Sequence, residues 1–136
     1  MREIDRRLGD AGEMSLDDYG VLITLVGQPN GRLRMSALAE RRLLTPSGIT
    51  RAVMRLERRG LVRREPDASD ARASLAVLTD VGLAALRRAQ KVHHATVREL
   101  YLGRLSEQEL RELSGLFEKA LPGVVSSADW PPPQPC

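Results

Sequence analysis

The chain has 136 residues, enough for one domain and too few for two ordinary ones. Hydrophobic residues make up 42% but aromatics only 3%, so any core must be aliphatic, and no apolar run reaches the roughly 18 residues of a membrane span. The net charge of +3 is uneven: eleven arginines stand against five acidic residues between Arg32 and Arg72, after an acidic start, which points to a localised polyanion contact.

Residues 1–14 are charged, with Ile4, Leu8 and Ala11 on one side, as in a short helix that needs a packing partner. Ser15 and Asp18 have capping-box spacing and open a second helix through Tyr19, Leu22, Ile23 and Val26, which Gly27 and Pro29 break. Asn30-Gly31 is a turn signal, and Arg32-Leu33-Arg34 reads as a short strand. Ser36 is then expected to cap a brief helix whose core side is Leu38, Ala39 and Leu43.

The stretch TPSGITRAVMRLERR, from Thr45 to Arg59, organises the rest. Thr45 is a good N-cap, Pro46 suits the first helical position and Gly60 is a natural stop. Ile49, Ala52, Val53 and Leu56 recur at helical spacing and predict a buried face. The opposite face carries Ser47, Arg51, Met54 and Arg58, with Thr50 and Arg55 on its flanks. Small polar residues at the N-terminal end permit close approach, and arginines further along can bond guanine edges or phosphates, so this face suits a major groove. A solvated basic face on an ordinary surface helix is the plain alternative.

Two short helices joined by a tight turn, the second more basic, form a helix-turn-helix. Leu61 to Glu65 reads as a strand, Pro66 to Asp70 as a turn and Ala73 to Leu78 as a returning strand, a hairpin placed as a wing. Thr79 caps a long helix to about Leu102, with Val81, Ala85, Ala89, Val92, Thr96, Val97 and Leu100 as its apolar stripe. Gly82 sits where helix entry tolerates glycine. Ser106 and Glu109 box the start of a last helix, in which Leu110, Leu113, Leu116, Phe117, Ala120 and Leu121 are apolar. The tail from Pro122 to Cys136 is proline-rich and expected to be extended or disordered.

With these elements in place the chain resembles the MarR family of bacterial transcription regulators over roughly residues 16–121. Asp70-Ala71-Arg72, followed by Leu78-Thr79 and Gly82, is similar to the family's wing signature. SGITRAVMRLERRGLVRR is similar to its recognition helix and first wing strand. The resemblance implies a mainly α fold with a small β-hairpin wing (α+β), a winged helix-turn-helix with terminal dimerisation helices. It divides the chain into a short N-terminal dimerisation segment (1–14), the winged helix-turn-helix (15–78), C-terminal dimerisation helices (79–121) and the tail (122–136). It implies a homodimer on double-stranded DNA with a pseudo-palindromic operator, more in keeping with repression than activation. It also implies a small-molecule effector bound between the dimer helices and the winged domain. Ser47, Thr50, Arg51, Met54, Arg55, Arg58, Asp70 and Arg72 are the expected DNA contacts. Arg72 is expected in a minor groove, its guanidinium oriented by Asp70, and Arg55 on a phosphate.

Three features depart from the family pattern. Ala71 replaces a second wing cation, Met54 stands where the family often has Asp, and only 18 residues precede Tyr19, so either the N-terminal helix is truncated or the true start lies upstream. The dimer should then lean on the two C-terminal helices.

Other chemistry finds little footing. His93 and His94 are adjacent, about 100° apart on a helix, and chelate one metal poorly. One of them is placed to line an effector crevice; the alternative is a surface or interface histidine. Cys136 is the one cysteine, which excludes an internal disulfide and fits a cytoplasmic protein. The N-terminus lacks the apolar stretch of a signal peptide. There is no nucleophile beside a base, no paired acid motif and no glycine-rich phosphate loop, so neither an enzyme nor a cofactor is expected. The competing class is a winged-helix module that binds protein. A DNA reader should carry Arg51, Arg55, Arg58 and Arg72 on one face, and an interaction module should show an apolar patch there.

Overall fold

The computed structural model describes residues 1–11 and 14–120. Two compact units are present, Met1–Thr96 and a second beginning at Val97.

The first unit starts with α1 (Arg2–Asp10) and α2 (Leu16–Val26). Nine residues make a helix too short to persist alone, and α1 is held by burial of Ile4 and Leu8 and by the Leu16 N–H donating to Asp5 Oδ1 at 2.7 Å. In α2, Ser15 Oγ accepts the Asp18 N–H at 3.1 Å, the expected N-cap. The Asp18 carboxylate instead bonds Arg55 of a later helix, so only one arm of the capping box forms there. From Asp18 to Leu22 every residue of α2 is buried, as suits a helix covered on most of its circumference.

A 3-10 turn at Pro29–Gly31 leads into β1 (Arg32–Arg34), and β1 runs directly into α3 (Met35–Arg42). The chain passes from extended to helical at Arg34, so Arg34 takes the N-cap position without a capping side chain. Ser36 therefore lies inside the first turn and is not the cap that its residue type suggests. Leu38 and Ala39 are buried as expected, but Leu43 is 94% exposed. Leu43 adopts a left-handed conformation (φ 52°) while the Leu44 N–H returns to the Ala39 carbonyl, and this reversal swings the Leu43 side chain outward.

Thr45 Oγ1 accepts the Gly48 N–H at 3.1 Å, Pro46 follows at the first position, and α4 spans Pro46–Arg58. Ile49, Ala52, Val53 and Leu56 are all buried. Gly60, at φ 69°, turns the chain into the hairpin of β2 (Val62–Asp67) and β3 (Asp70–Leu78). Both strands run further than expected, leaving only Ala68 and Ser69 as the turn. Pro66 is tolerated because β2 is an edge strand and the register shifts between Pro66 and Asp67. The antiparallel sheet has the order β1-β3-β2.

α5 covers Asp80–Val97. Thr79 Oγ1 accepts the Gly82 N–H at 3.0 Å and faces the carbonyls of Gly60 and Leu61 at 2.7 and 3.0 Å. A Cβ on Gly82 would collide with the Leu61 carbonyl oxygen. The Leu-Thr-x-x-Gly pattern is thus a latch joining the exit of α4 to the start of α5, and Gly82 is there for close approach rather than for easy helix entry. Ala85, Leu86, Ala89 and Thr96 are buried, while Val81 is exposed, so the buried stripe is turned from the expected one toward Leu86. The core of this unit is aliphatic, with Leu8, Leu22, Leu25, Leu38, Ile49, Leu56 and Leu86 among its fully buried side chains.

In the second unit a π-helical turn (Arg98–Leu102) replaces the α-helical continuation expected to Leu102. α6 (Glu107–Ala120) begins with both arms of its capping box: the Glu109 N–H donates to Ser106 Oγ at 3.3 Å and the Ser106 N–H to Glu109 Oε2 at 2.7 Å. No residue of α6 is buried. Leu121 and the proline-rich tail with Cys136 lie outside the described residues. Among the described residues no helix is long and apolar enough to cross a membrane, and no three metal-ligating side chains gather.

Candidate nucleic-acid interface

Burial of the apolar face of α4 turns the other face outward as the helical period requires. Ser47, Arg51, Met54, Arg55 and Arg58 are exposed there, with Thr50 partly covered. The Thr50 hydroxyl donates to the Pro46 carbonyl at 2.8 Å, which leaves its oxygen lone pairs for a further partner. Such a threonine can accept from an amino group or touch a thymine methyl. Ser47 Oγ lies 3.2 Å from Thr45 Oγ1. Among the described residues the guanidinium groups of Arg51, Arg58 and Arg72 have no protein partner.

Arg55 differs. Its Nη2 donates to Asp18 Oδ1 at 2.8 Å, and Asp18 is only 6% exposed. The pair ties α4 to the N-terminal turn of α2. Arg55 is therefore a strut first, with half its guanidinium still open to solvent. Sequence reading placed it on the right flank but missed this partner, 37 residues away.

On the wing, Asp70 Oδ1 accepts the backbone N–H of Arg72 at 3.0 Å. The carboxylate thus shapes the backbone leading to Arg72 rather than gripping its guanidinium as expected. The turn itself is held from β1. Arg34 Nε donates to Asp67 Oδ2 at 2.5 Å and Arg34 Nη2 to Ser69 Oγ at 2.9 Å. Asp67 Oδ1 accepts both the Ser69 N–H and its hydroxyl, at 2.8 and 2.7 Å. These bonds from Ser69 and then from Arg34 hold the Asp67 carboxyl down at about 2. A cleft of about 280 Å³ between wing and α3 is lined by Arg34, Ser36, Arg72 and Ser74, among others. Arg34, Asp67 and Ser69 are absent from the sequence-derived contacts. One signal was available: Arg32 and Arg34 alternate on one face of β1, and Glu65 and Asp67 alternate likewise on β2.

Away from this face, His93 stacks on Tyr19 with centroids 4.8 Å apart and 17° between planes. Burial and then the neighbouring His94 push His93 below the usual imidazole value. Its Nδ1 is buried with no partner among the described residues. The reading of a surface or interface histidine gives way, for His93, to a half-buried ring stacked inside the first unit.

A helix-turn-helix whose second helix buries one face and presents the other, followed by a hairpin and a latch into the next helix, defines a winged helix-turn-helix protein. The model of the MarR family matches residues 13–73. The transcriptional regulator HosA of Escherichia coli is 32% identical over 109 residues, covering 80% of this chain and 78% of HosA. Among solved structures, Sco3205 from Streptomyces coelicolor, a MarR family transcriptional regulator crystallised in complex with DNA, superposes with a TM-score of 0.76 at 37% identity. The match covers 88% of this chain and 74% of Sco3205. MarR from Escherichia coli shares the fold, with a TM-score of 0.78 at 22% identity over 89% of this chain and 87% of MarR. The chain belongs to the MarR family of transcriptional regulators.

Proposed function

We propose that the chain is a sequence-specific DNA-binding repressor that works as a homodimer on a pseudo-palindromic operator and is relieved by a small-molecule ligand. The observation that carries this reading is the division of α4. Ile49, Ala52, Val53 and Leu56 anchor it, while Ser47, Thr50, Arg51, Met54 and Arg58 face outward, Arg51 and Arg58 without a protein partner among the described residues. The DNA complex of Sco3205 supports the same use of this fold. Arg51 and its neighbours read base edges; Arg58 and the open side of Arg55 meet phosphate; Arg72 enters a minor groove, presented by the backbone that Asp70 shapes. The exposed Leu113, Leu116 and Phe117 of α6 are the surface a second copy would cover. His93, whose buried Nδ1 has no partner among the described residues, is the polar group an effector entering this part of the unit would satisfy. The protein is placed in the cytoplasm, where its DNA would be.

Selection of bound sites from random duplex DNA tests the reading. The selected sites should contain inverted half-sites about 10 base pairs apart, centre to centre. Arg51→Ala should then relax preference at one or two base pairs per half-site, whereas Arg58→Ala should weaken all duplexes alike and flatten the salt dependence. If the protein enriches no duplex, the protein-interaction reading takes its place.

A further inference from the structure

β3 lies between β1 and β2, yet two arginines of β1 reach over it to carboxylates of β2. Arg32 Nη2 lies 3.5 Å from Glu65 Oε2, and Arg34 Nε lies 2.5 Å from Asp67 Oδ2. Arg34 and Glu65 both pair with Leu75, so Arg34 passes its own row and reaches the next one toward the hairpin tip. There it meets the register shift at Pro66/Asp67, where the ladder is weakest. Asp67 takes Arg34 on one oxygen and Ser69 on the other, and Ser69 Oγ also accepts from Arg34. Both residues at the closing end of β2 and its two-residue turn that carry polar side chains are therefore tied to a strand that precedes α3. Arg72 is the third residue after this turn, its backbone N–H held by Asp70.

We propose that Arg34 is a positioning residue for the wing: by clasping Asp67 and Ser69 it fixes the turn from which Arg72 is presented. This rests on the DNA-binding reading above. A hairpin tip ordered before DNA arrives does not lose that freedom on binding, so the clasp acts through preorganisation. Its effect is then carried by Arg72, unlike that of a phosphate contact, which adds its own counterion release.

The test is a double-substitution cycle on the selected operator with Arg34→Ala, Arg72→Ala and both together, at several salt concentrations. Arg34→Ala should weaken binding by about three- to tenfold, the effect of about one side chain's lost ordering. Its salt slope should stay that of the parent. In the Arg72→Ala background the same substitution should change affinity less than about twofold. In the free protein, Arg34→Ala should speed hydrogen exchange at the Ser69 amide while Val53 exchanges as in the parent. Asp67→Asn, which keeps the shape of the turn, should reproduce both results. Equal losses with and without Arg72, a salt slope lower by about one per subunit, no loss from Arg34→Ala, or unchanged Ser69 exchange would each overturn the assignment. A parent protein that binds no duplex sinks the DNA reading and the wing role with it. A parent that binds, with additive losses, sinks the wing role alone.

Discussion

α4 and α6 carry the same kind of pattern and meet opposite fates. In α4 the apolar positions Ile49, Ala52, Val53 and Leu56 are all buried. In α6 the apolar positions Leu113, Leu116 and Phe117 are exposed, the last two by 63% and 50%. An amphipathic stripe states that one face would gain from being covered, but it does not say by what. α4 finds its cover in α2, α3 and the start of the hairpin, within about 40 residues of chain on either side. For α6 the proposed cover is another copy of the chain. A contiguous apolar surface of this kind marks an interaction site more often than a defect.

Truncating one stripe residue in each helix breaks the comparison most directly. Leu56→Ala should destabilise the first unit by about 2–5 kcal/mol in urea melts, since Leu56 is fully buried. Leu116→Ala should change the unfolding midpoint of that unit by less than about 0.5 kcal/mol, and should instead lower the apparent mass by sedimentation. Equal losses in the two would mean that α6 is covered within its own chain.

The latch offers a second test inside the first unit. Gly82→Ala places a methyl group against the Leu61 carbonyl and should cost about 1–3 kcal/mol, although alanine is the better helix former. An increase in stability would mean that α5 can shift freely away from Gly60 and Leu61.

Arg55→Ala should cost about 1–2 kcal/mol by leaving Asp18 buried without its cation. The figure falls below that of a fully buried pair because the Arg55 guanidinium is half in solvent. Arg58→Ala, from the same helix and with no protein partner among the described residues, should melt like the parent. Comparing the two separates the strut from the free cation before any DNA is added.

The smallest effect is expected at the wing turn. Asp67 has an ordinary value of 3.8 and is held down at about 2 by Ser69 and Arg34. A carboxyl lowered in the folded state contributes stability that is fully present above its ordinary value and lost as pH falls through the lowered one. The Ser69 amide signal should therefore stay constant down to about pH 4 and move with a midpoint of about 2. In Arg34→Ala the midpoint should rise.

Most of the winged helix was legible because its signals are local. The Thr45 cap, Pro46, the stripe through Leu56 and the stop at Gly60 act within one or two turns of backbone, and the structure keeps all of them. Ser36 and Leu43 went astray for a tertiary reason. β1 feeds α3 without a gap, which advances the cap to Arg34, and the reversal after α3 throws Leu43 outward. Of the expected contacts, Ser47, Arg51, Met54 and Arg58 face outward as the wheel required. Arg55 sits on the expected flank but also bonds Asp18, and Asp70 meets the Arg72 backbone N–H instead of its guanidinium, because a periodicity orients a side chain without naming everything it meets.

The sequence by itself determined the order of the helices and strands, which face of α4 is buried, and that a basic helix is followed by a hairpin. Caps, periodicity and turn chemistry all act over a few residues. Only the tertiary structure decided that Arg55 meets Asp18 across 37 positions, that Arg34 holds a turn more than 30 residues away, and that Gly82 must be bare for Leu61 to approach. Those contacts depend on distances set when elements pack, and neither composition nor period encodes a distance between residues remote in the chain.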